Sequence, residues 1–268
     1  MINNKVRAAL ETSLTRLPGG SKLRWLISYY RLRRGLGAGG HRKPKDIFTY
    51  MYDQNRWDNA ESVSGPGSTL MYTENIRREL PKLIQELDIR SILDAPCGDY
   101  NWFRSMERLT EFDYVGGDIV SALIARNQQA FGSATTSFVE LDIINQPIPP
   151  ADMWLCRDVL LHFSYERIFR TLANLLRSEV KYFLASSYTE ARENFDIPTG
   201  EWRQVNLELS PFGLGPPMTH IDDWIEGYPV RKLCLWRRSD LAERLRANVE
   251  FLNAAESDYV PNMSAPSS

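Results

Sequence analysis

Two short apolar runs, each closing on an acid, constrain this chain more than any other feature. Residues 91–94 end at Asp94 and lead into a turn of small residues, Ala95, Pro96, Cys97 and Gly98. Twenty-four residues after Asp94, the run Tyr114, Val115, Gly116, Gly117 ends at Asp118. A strand entering a tight turn, with the next strand ending in a lone acid, is how a doubly wound α/β sheet holds a nucleoside-bearing ligand. The turn lets the backbone approach the ligand, and the acid accepts hydrogen bonds from ribose hydroxyls.

The rest of the pattern agrees with such a sheet. Apolar runs alternate with helical spacing: strand 91–94, helix about 100–107, strand 112–117, helix 120–131, strands 136–141 and 152–157, helix 165–178 and strand 181–187. That alternation implies right-handed crossovers between parallel strands. Residues 202–209 and 230–237 read as two further strands, an antiparallel pair at the sheet edge joined by a segment rich in Gly and Pro. Ahead of the first strand, a short helix is expected around 46–54, then a Gly- and Ser-rich loop over 57–68. Apolar residues at 76, 80, 83, 84 and 87 then have helical spacing, which Pro81 should kink or split.

With 268 residues, 43% of them hydrophobic and 25% charged, the chain has the bulk composition of an ordinary globular protein with one main core. Cys97, Cys156 and Cys234 lack the close pairing of metal sites, so no metal is expected, and reduced thiols fit a cytoplasmic setting. No apolar run reaches the roughly 18 residues that span a bilayer, and the N-terminus has no signal-peptide pattern. Residues 1–46 carry eleven Lys or Arg against Glu11 and Asp46, a balance of +9 that leaves −11 on the rest. Within them, residues 23–34 mix bulky apolar and cationic side chains. Such a segment either docks on the body through Trp25, Leu26 and Tyr29 or makes weak peripheral contact with the anionic inner face of a membrane. The expected organisation is a basic, helical N-terminal arm and linker over 1–45, a catalytic domain over 46–250 and a flexible tail over 251–268.

From Ile92 to Ser187 most strongly, and from Trp57 to Arg238 overall, the chain resembles the class I S-adenosylmethionine-dependent methyltransferases. The resemblance rests on the turn from Leu93 to Gly98, on Asp118, and on Asp142 followed by Ile143 after the third strand. The Asp-Ala-Pro-Cys-Gly-Asp turn, followed by Tyr100, Asn101 and Trp102, is similar to that of an uncharacterised bacterial subgroup. The resemblance implies a Rossmann-like, mostly parallel seven-stranded sheet with an antiparallel edge strand, and S-adenosyl-L-methionine as cofactor. It places Asp94, Ala95, Pro96 and Gly98 at the methionine part, Asp118 and Ile119 at the ribose, Asp142 and Ile143 at the adenine, and Arg157 where the fourth strand ends beside both cofactor and acceptor. Asp94 and Asp118 could also cap the following helices, and Asp142 could simply begin a turn.

Asp158 and His162, just after the fourth strand, are the candidates for a base that removes an acceptor proton; Arg157 and Asp158 could instead pair with each other. Trp57, Glu61 and Ser64 in the loop over 57–68, with Trp202, Arg203 and Asn206 later, are the candidate acceptor-binding residues. This mixture of aromatic, amide and carboxylate groups suits a small polar acceptor such as a sugar, a glycolipid headgroup or another hydroxylated metabolite, methylated on oxygen. Three other classes stay open. A nucleic-acid methyltransferase would use the basic arm, but the body is acidic and Arg157 and Asp158 stand where base-methylating enzymes carry Asn/Asp-Pro-Pro-Tyr/Phe. A nicotinamide dehydrogenase wants Gly-x-Gly-x-x-Gly, which the turn lacks. The third is a non-catalytic nucleotide-binding or scaffold role; a thiol hydrolase pairing Cys97 with His162 is set aside, because a small side chain filling a tight turn accounts for Cys97.

Overall fold

The computed structural model describes residues 43–245. The basic arm before Lys43, the Gly-rich linker and the tail over 251–268 lie outside them. Helix α1 (Pro44–Asp53) and helix α2 (Glu74–Glu86) precede the sheet. The strands are β1 (Ser91–Asp94), β2 (Asp113–Asp118), β3 (Thr136–Glu140), β4 (Met153–Cys156), β5 (Tyr182–Ser187), β6 (Thr219–Asp222) and β7 (Lys232–Arg237). Helix α3 (Ser121–Phe131) joins β2 to β3, α4 (Tyr165–Arg177) joins β4 to β5, and α5 (Arg238–Leu245) follows β7.

These strands form one sheet in the order β3-β2-β1-β4-β5-β7-β6. The first five are parallel, and antiparallel pairing is confined to one edge, where β7 runs against both β5 and β6. The order reverses between β1 and β4, so the carboxyl ends of β1, β2, β3 and β4 share one rim, the place where open α/β sheets bind ligands.

Central strands buried on both faces read as continuous apolar runs, and successive side chains enter opposite cores. Trp154 and Cys156 of β4 pack on one side with Phe183, Trp236 and the α4 residues Ile168 and Leu172. Met153 and Leu155 pack on the other with Leu184, Leu235 and the α2 residues Ile76, Leu80 and Ile84. Each such side chain, removed from water, contributes about 1.5–3 kcal/mol.

Three expectations are corrected here. Residues 100–107 contain only a short 3-10 turn over Phe103–Ser105, because Tyr100 and Phe103 turn inward to stack at 5.9 Å and meet Tyr114. Pro81 does not split α2, which runs unbroken over Glu74–Glu86. The missing backbone bond and ring clash cost about 3 kcal/mol, and burial of Ile76, Leu80, Leu83 and Ile84 along one face outweighs it. Residues 202–209 are not a strand. Arg203, Val205, Asn206 and Leu207 are all buried, and the segment runs irregularly, its backbone tied to Leu161, Tyr188 and the Ser187 hydroxyl. The edge strand is β6, where only Ile221 is buried, so no alternation marked it.

Candidate active site

A cavity of about 380 Å³ opens along the carboxyl rim of the sheet, within the range of small-ligand sites. Asp94, Pro96, Cys97, Gly98, Asp118, Ile119, Asp142 and Ile143 line one end. The three acids therefore reach one cavity from the ends of three adjacent strands.

Each acid is held differently. Asp94 is 2% exposed and accepts a 2.8 Å hydrogen bond from the Tyr114 hydroxyl. Burial pushes its pKa up to about 7, against the lowering effects of Tyr114 and the Arg157 charge. Asp118 accepts from the backbone N–H of Gly98 at 3.2 Å and of Val120 at 3.0 Å. Burial raises it to about 6 although those bonds favour the charge. Neither acid has an ion-pair partner among the described residues. Asp142 is half-buried and accepts from the Ile144 N–H and the Asn145 amide, so it orders its own turn while facing the cavity.

Gly98 sits at φ +55°, and a Cβ there would come within 2.2 Å of the Ser64 Oγ. Asp99 accepts from the Ser62 hydroxyl, the Val63 N–H and the Ser64 hydroxyl, and its own N–H donates to Ser64. The loop over 57–68 is thus fastened directly onto the turn. The Cys97 thiol is buried, and burial with the charges of Asp118 and Asp94 holds its pKa well above the ordinary value. A nucleophilic thiol needs the opposite surroundings.

At the other end stand Trp57, Asp158, His162, Trp202 and Arg231. Arg157 and Asp158 do not pair with each other. Arg157 grips Asp223 through Nε at 3.0 Å and Nη2 at 2.9 Å, and donates to the Gly67 carbonyl at 2.6 Å. Asp158 pairs with Arg231, which also meets Asp223 at 3.0 Å. Burial alone would raise the Asp158 pKa, but the Arg231 and Arg157 guanidiniums outweigh it and hold the carboxyl below its ordinary value. Asp158 is therefore a paired anion and a poor proton acceptor. His162 closes a 3-10 turn, Leu160–His162, with its Nδ1 2.9 Å from the Glu201 carbonyl. A carbonyl only accepts, so the neutral ring carries its proton on Nδ1 and keeps a lone pair on Nε2. Burial lowers its pKa, with Asp158 opposing.

Four candidates lie off the cavity. Ala95 is fully buried in the core, its carbonyl taken by the Trp154 indole. Glu61 accepts from the Leu70 N–H and the Asn101 amide, so it closes its own loop. Arg203 is 0% exposed, donates to the Leu161 carbonyl at 3.2 Å and lies over the Tyr165 ring. Asn206 donates to the Thr189 and Ala191 carbonyls. All of these serve loop backbone or packing. Sequence reasoning missed the other side of the cavity: Phe48, Met51 and Tyr52 of α1, Tyr72, and Arg231 with Asp223 behind it. The sequence pointed to a helix around 46–54, but nothing in it marked what α1 covers.

No family model and no curated protein sequence matches this chain. Among solved structures it is similar to PigF with SAH, at a TM-score of 0.55 and 14% identity, covering 81% of this chain and 69% of that one. It is similar to magnesium protoporphyrin IX methyltransferase from Synechocystis PCC 6803 with bound SAM, at a TM-score of 0.53 and 16% identity, covering 75% and 100%. Human N-acetylserotonin methyltransferase in complex with SAM gives a TM-score of 0.51 and 14% identity, covering 81% and 70%. The chain has the Rossmann-like fold of the class I S-adenosylmethionine-dependent methyltransferases.

Proposed function

We propose that this protein is an S-adenosylmethionine-dependent methyltransferase that methylates a hydroxyl of a small polar acceptor, such as a sugar, a glycolipid headgroup or a related metabolite. The observation that carries this reading is the convergence of Asp94, Asp118 and Asp142 on one cavity that also holds His162. The donor set fits the cofactor. Asp94 and Asp118 are buried carboxylates without a paired cation among the described residues, which suits a ligand bearing an ammonium, a sulfonium and a ribose diol. Apolar Ile119, Leu141 and Ile143 beside Asp142 suit a flat base with a polar edge. The solved neighbours described above are methyltransferases by name in two cases, and hold SAM or SAH.

When bound, the cofactor supplies an electrophilic methyl group. The protein's part is to align and to manage a proton. The loop over 57–68, fastened to the turn by Asp99, keeps water from the methionine end. His162 Nε2 takes the acceptor's hydroxyl proton, with its ring oriented by Glu201. Asp158, paired with Arg231, sits near the ring as a fixed negative charge that steadies the imidazolium. Positioning supplies much of the acceleration, and the base about 10²–10⁴-fold.

The test is transfer of labelled methyl from S-adenosylmethionine to a panel of sugars, glycosides, phenols and short RNAs, read as S-adenosylhomocysteine release. Turnover on a hydroxylated small molecule supports the reading. Turnover confined to RNA would replace it.

A further inference from the structure

We infer that the acceptor end of the cavity takes an uncharged, hydroxyl-bearing ring, laid against Trp57 with its hydroxyl on His162. This rests on the methyltransferase reading above and narrows its substrate class. Two independent observations carry it.

The first is charge. Among the described residues the cavity wall carries the carboxylates of Asp94, Asp118, Asp142 and Asp158 against three guanidiniums. The two buried guanidiniums share two carboxylates, Arg157 held in bidentate contact by Asp223 and Arg231 by Asp158 and Asp223, with Arg231 Nη2 left without a hydrogen-bond partner. Asp223 is itself fully buried behind the wall, so the cluster of two arginines and two aspartates is neutral. The third, Arg56, is exposed, where an ion pair is worth little. A bound S-adenosylmethionine adds a single net positive charge, which leaves carboxylates in excess. A carboxylate or phosphate on the acceptor would lose its hydration and meet, among the described residues, no buried cation whose charge is not already balanced by a carboxylate. An uncharged acceptor meets no such penalty.

The second is shape. Trp57 lines the cavity and meets the His162 ring edge-on at 6.4 Å. It is fixed there by Gly65, whose backbone lies so close that a Cβ would come within 3.0 Å of the Trp57 Cβ and 3.2 Å of its Cγ. Gly65 also holds φ +97°, open to glycine and strained for other residues. The indole is thus a preset wall beside His162. A flat phenol or the apolar face of a sugar ring stacks on such a wall, and the ring hydroxyl is carried to the imidazole. A flexible chain would gain less from it, because it must be ordered on binding.

The test uses full-length protein saturated with S-adenosylhomocysteine and four ring probes followed by saturation-transfer NMR. Two are uncharged, methyl β-D-glucopyranoside and phenol; two are acidic rings of matching shape, D-glucuronate and benzoate. The uncharged member of each pair is expected to give the stronger transfer. Trp57→Ala should reduce that transfer at least about fivefold, Trp57→Phe should retain most of it, and both should leave S-adenosylhomocysteine affinity within about twofold. Stronger transfer to the acids, transfer unchanged in Trp57→Ala, or no transfer to any ring while S-adenosylhomocysteine binds would each overturn the inference. Failure of S-adenosylhomocysteine to bind at all would instead remove the reading beneath it.

Discussion

The Nδ1 of His162 faces the backbone carbonyl of Glu201 at 2.9 Å. That single contact fixes the tautomer and makes Nε2 the basic atom. Burial lowers the ring's pKa below its ordinary 6.5, so the neutral base is the resting form at neutral pH. Long-range proton–nitrogen NMR should show the Nδ1–H tautomer and a titration midpoint below 6.5. Because the folded value is depressed, the stability this group contributes is present above 6.5 and is lost as pH falls through the folded midpoint. His162→Gln should lower turnover about 100-fold and leave cofactor affinity nearly unchanged.

Asp94 gives the opposite sign. Its folded pKa, about 7, lies above the ordinary 3.8, so burying its ionised form destabilises the unliganded protein as pH rises through about 7. A cationic ligand beside it favours the ionised form. Affinity for S-adenosylmethionine should therefore tighten as pH rises from 5.5 to 8, by up to about tenfold per unit below the midpoint. Tyr114→Phe removes the hydroxyl that favours the charge, and should shift that midpoint upward. Asp94→Asn should weaken binding and remove the limb near 7, leaving the one that Asp118 sets near 6. Calorimetric titrations across this range check all three.

Asp223 ties two buried arginines that come from β4's exit and the start of β7. Asp223→Ala leaves Arg157 and Arg231 short of a counter-charge, and should cost about 3–5 kcal/mol in urea unfolding. Arg203→Met is the contrasting case. Arg203 is fully buried, with Nε and Nη2 lacking hydrogen-bond partners, and burial lowers its pKa to about 10. A well-packed apolar side chain should hold stability within about 1 kcal/mol and leave cofactor binding intact.

Gly98 tests how the loop is fastened. Gly98→Ala forces an alanine into φ +55° and drives its Cβ into Ser64 Oγ. The backbone cost is about 1–2 kcal/mol, and the collision should release the Ser64 and Asp99 bonds and weaken S-adenosylmethionine binding. Adding Ser64→Gly removes the collision but not the backbone strain, so the pair should recover part of the loss. Thermal unfolding with and without ligand separates the two effects.

The parallel half of the sheet was legible because β1, β4 and β5 are buried on both faces and read as unbroken apolar runs. Asp94 and Asp118 were legible as the acids that close the runs of β1 and β2, and Asp142 as the acid just past β3. The far edge was not. β6 buries one residue and carries no pattern, whereas 203–207 is largely buried without pairing in the sheet. At the site, carboxylates announced themselves, but arginines that pair across distant segments did not. Arg157 finds Asp223 sixty-six positions away, a partnership no local spacing encodes. Arg203 and Asn206 looked like binding groups because polar side chains in a loop can either face a ligand or hold the loop, and here they hold it.

The most direct measurement is isothermal titration of the full-length protein with S-adenosylmethionine, S-adenosylhomocysteine and NAD. The account predicts one binding site for each of the first two, lost together in Asp118→Ala, and no heat from NAD. Absence of binding by S-adenosylmethionine and S-adenosylhomocysteine at millimolar concentration, with the protein folded, would contradict it.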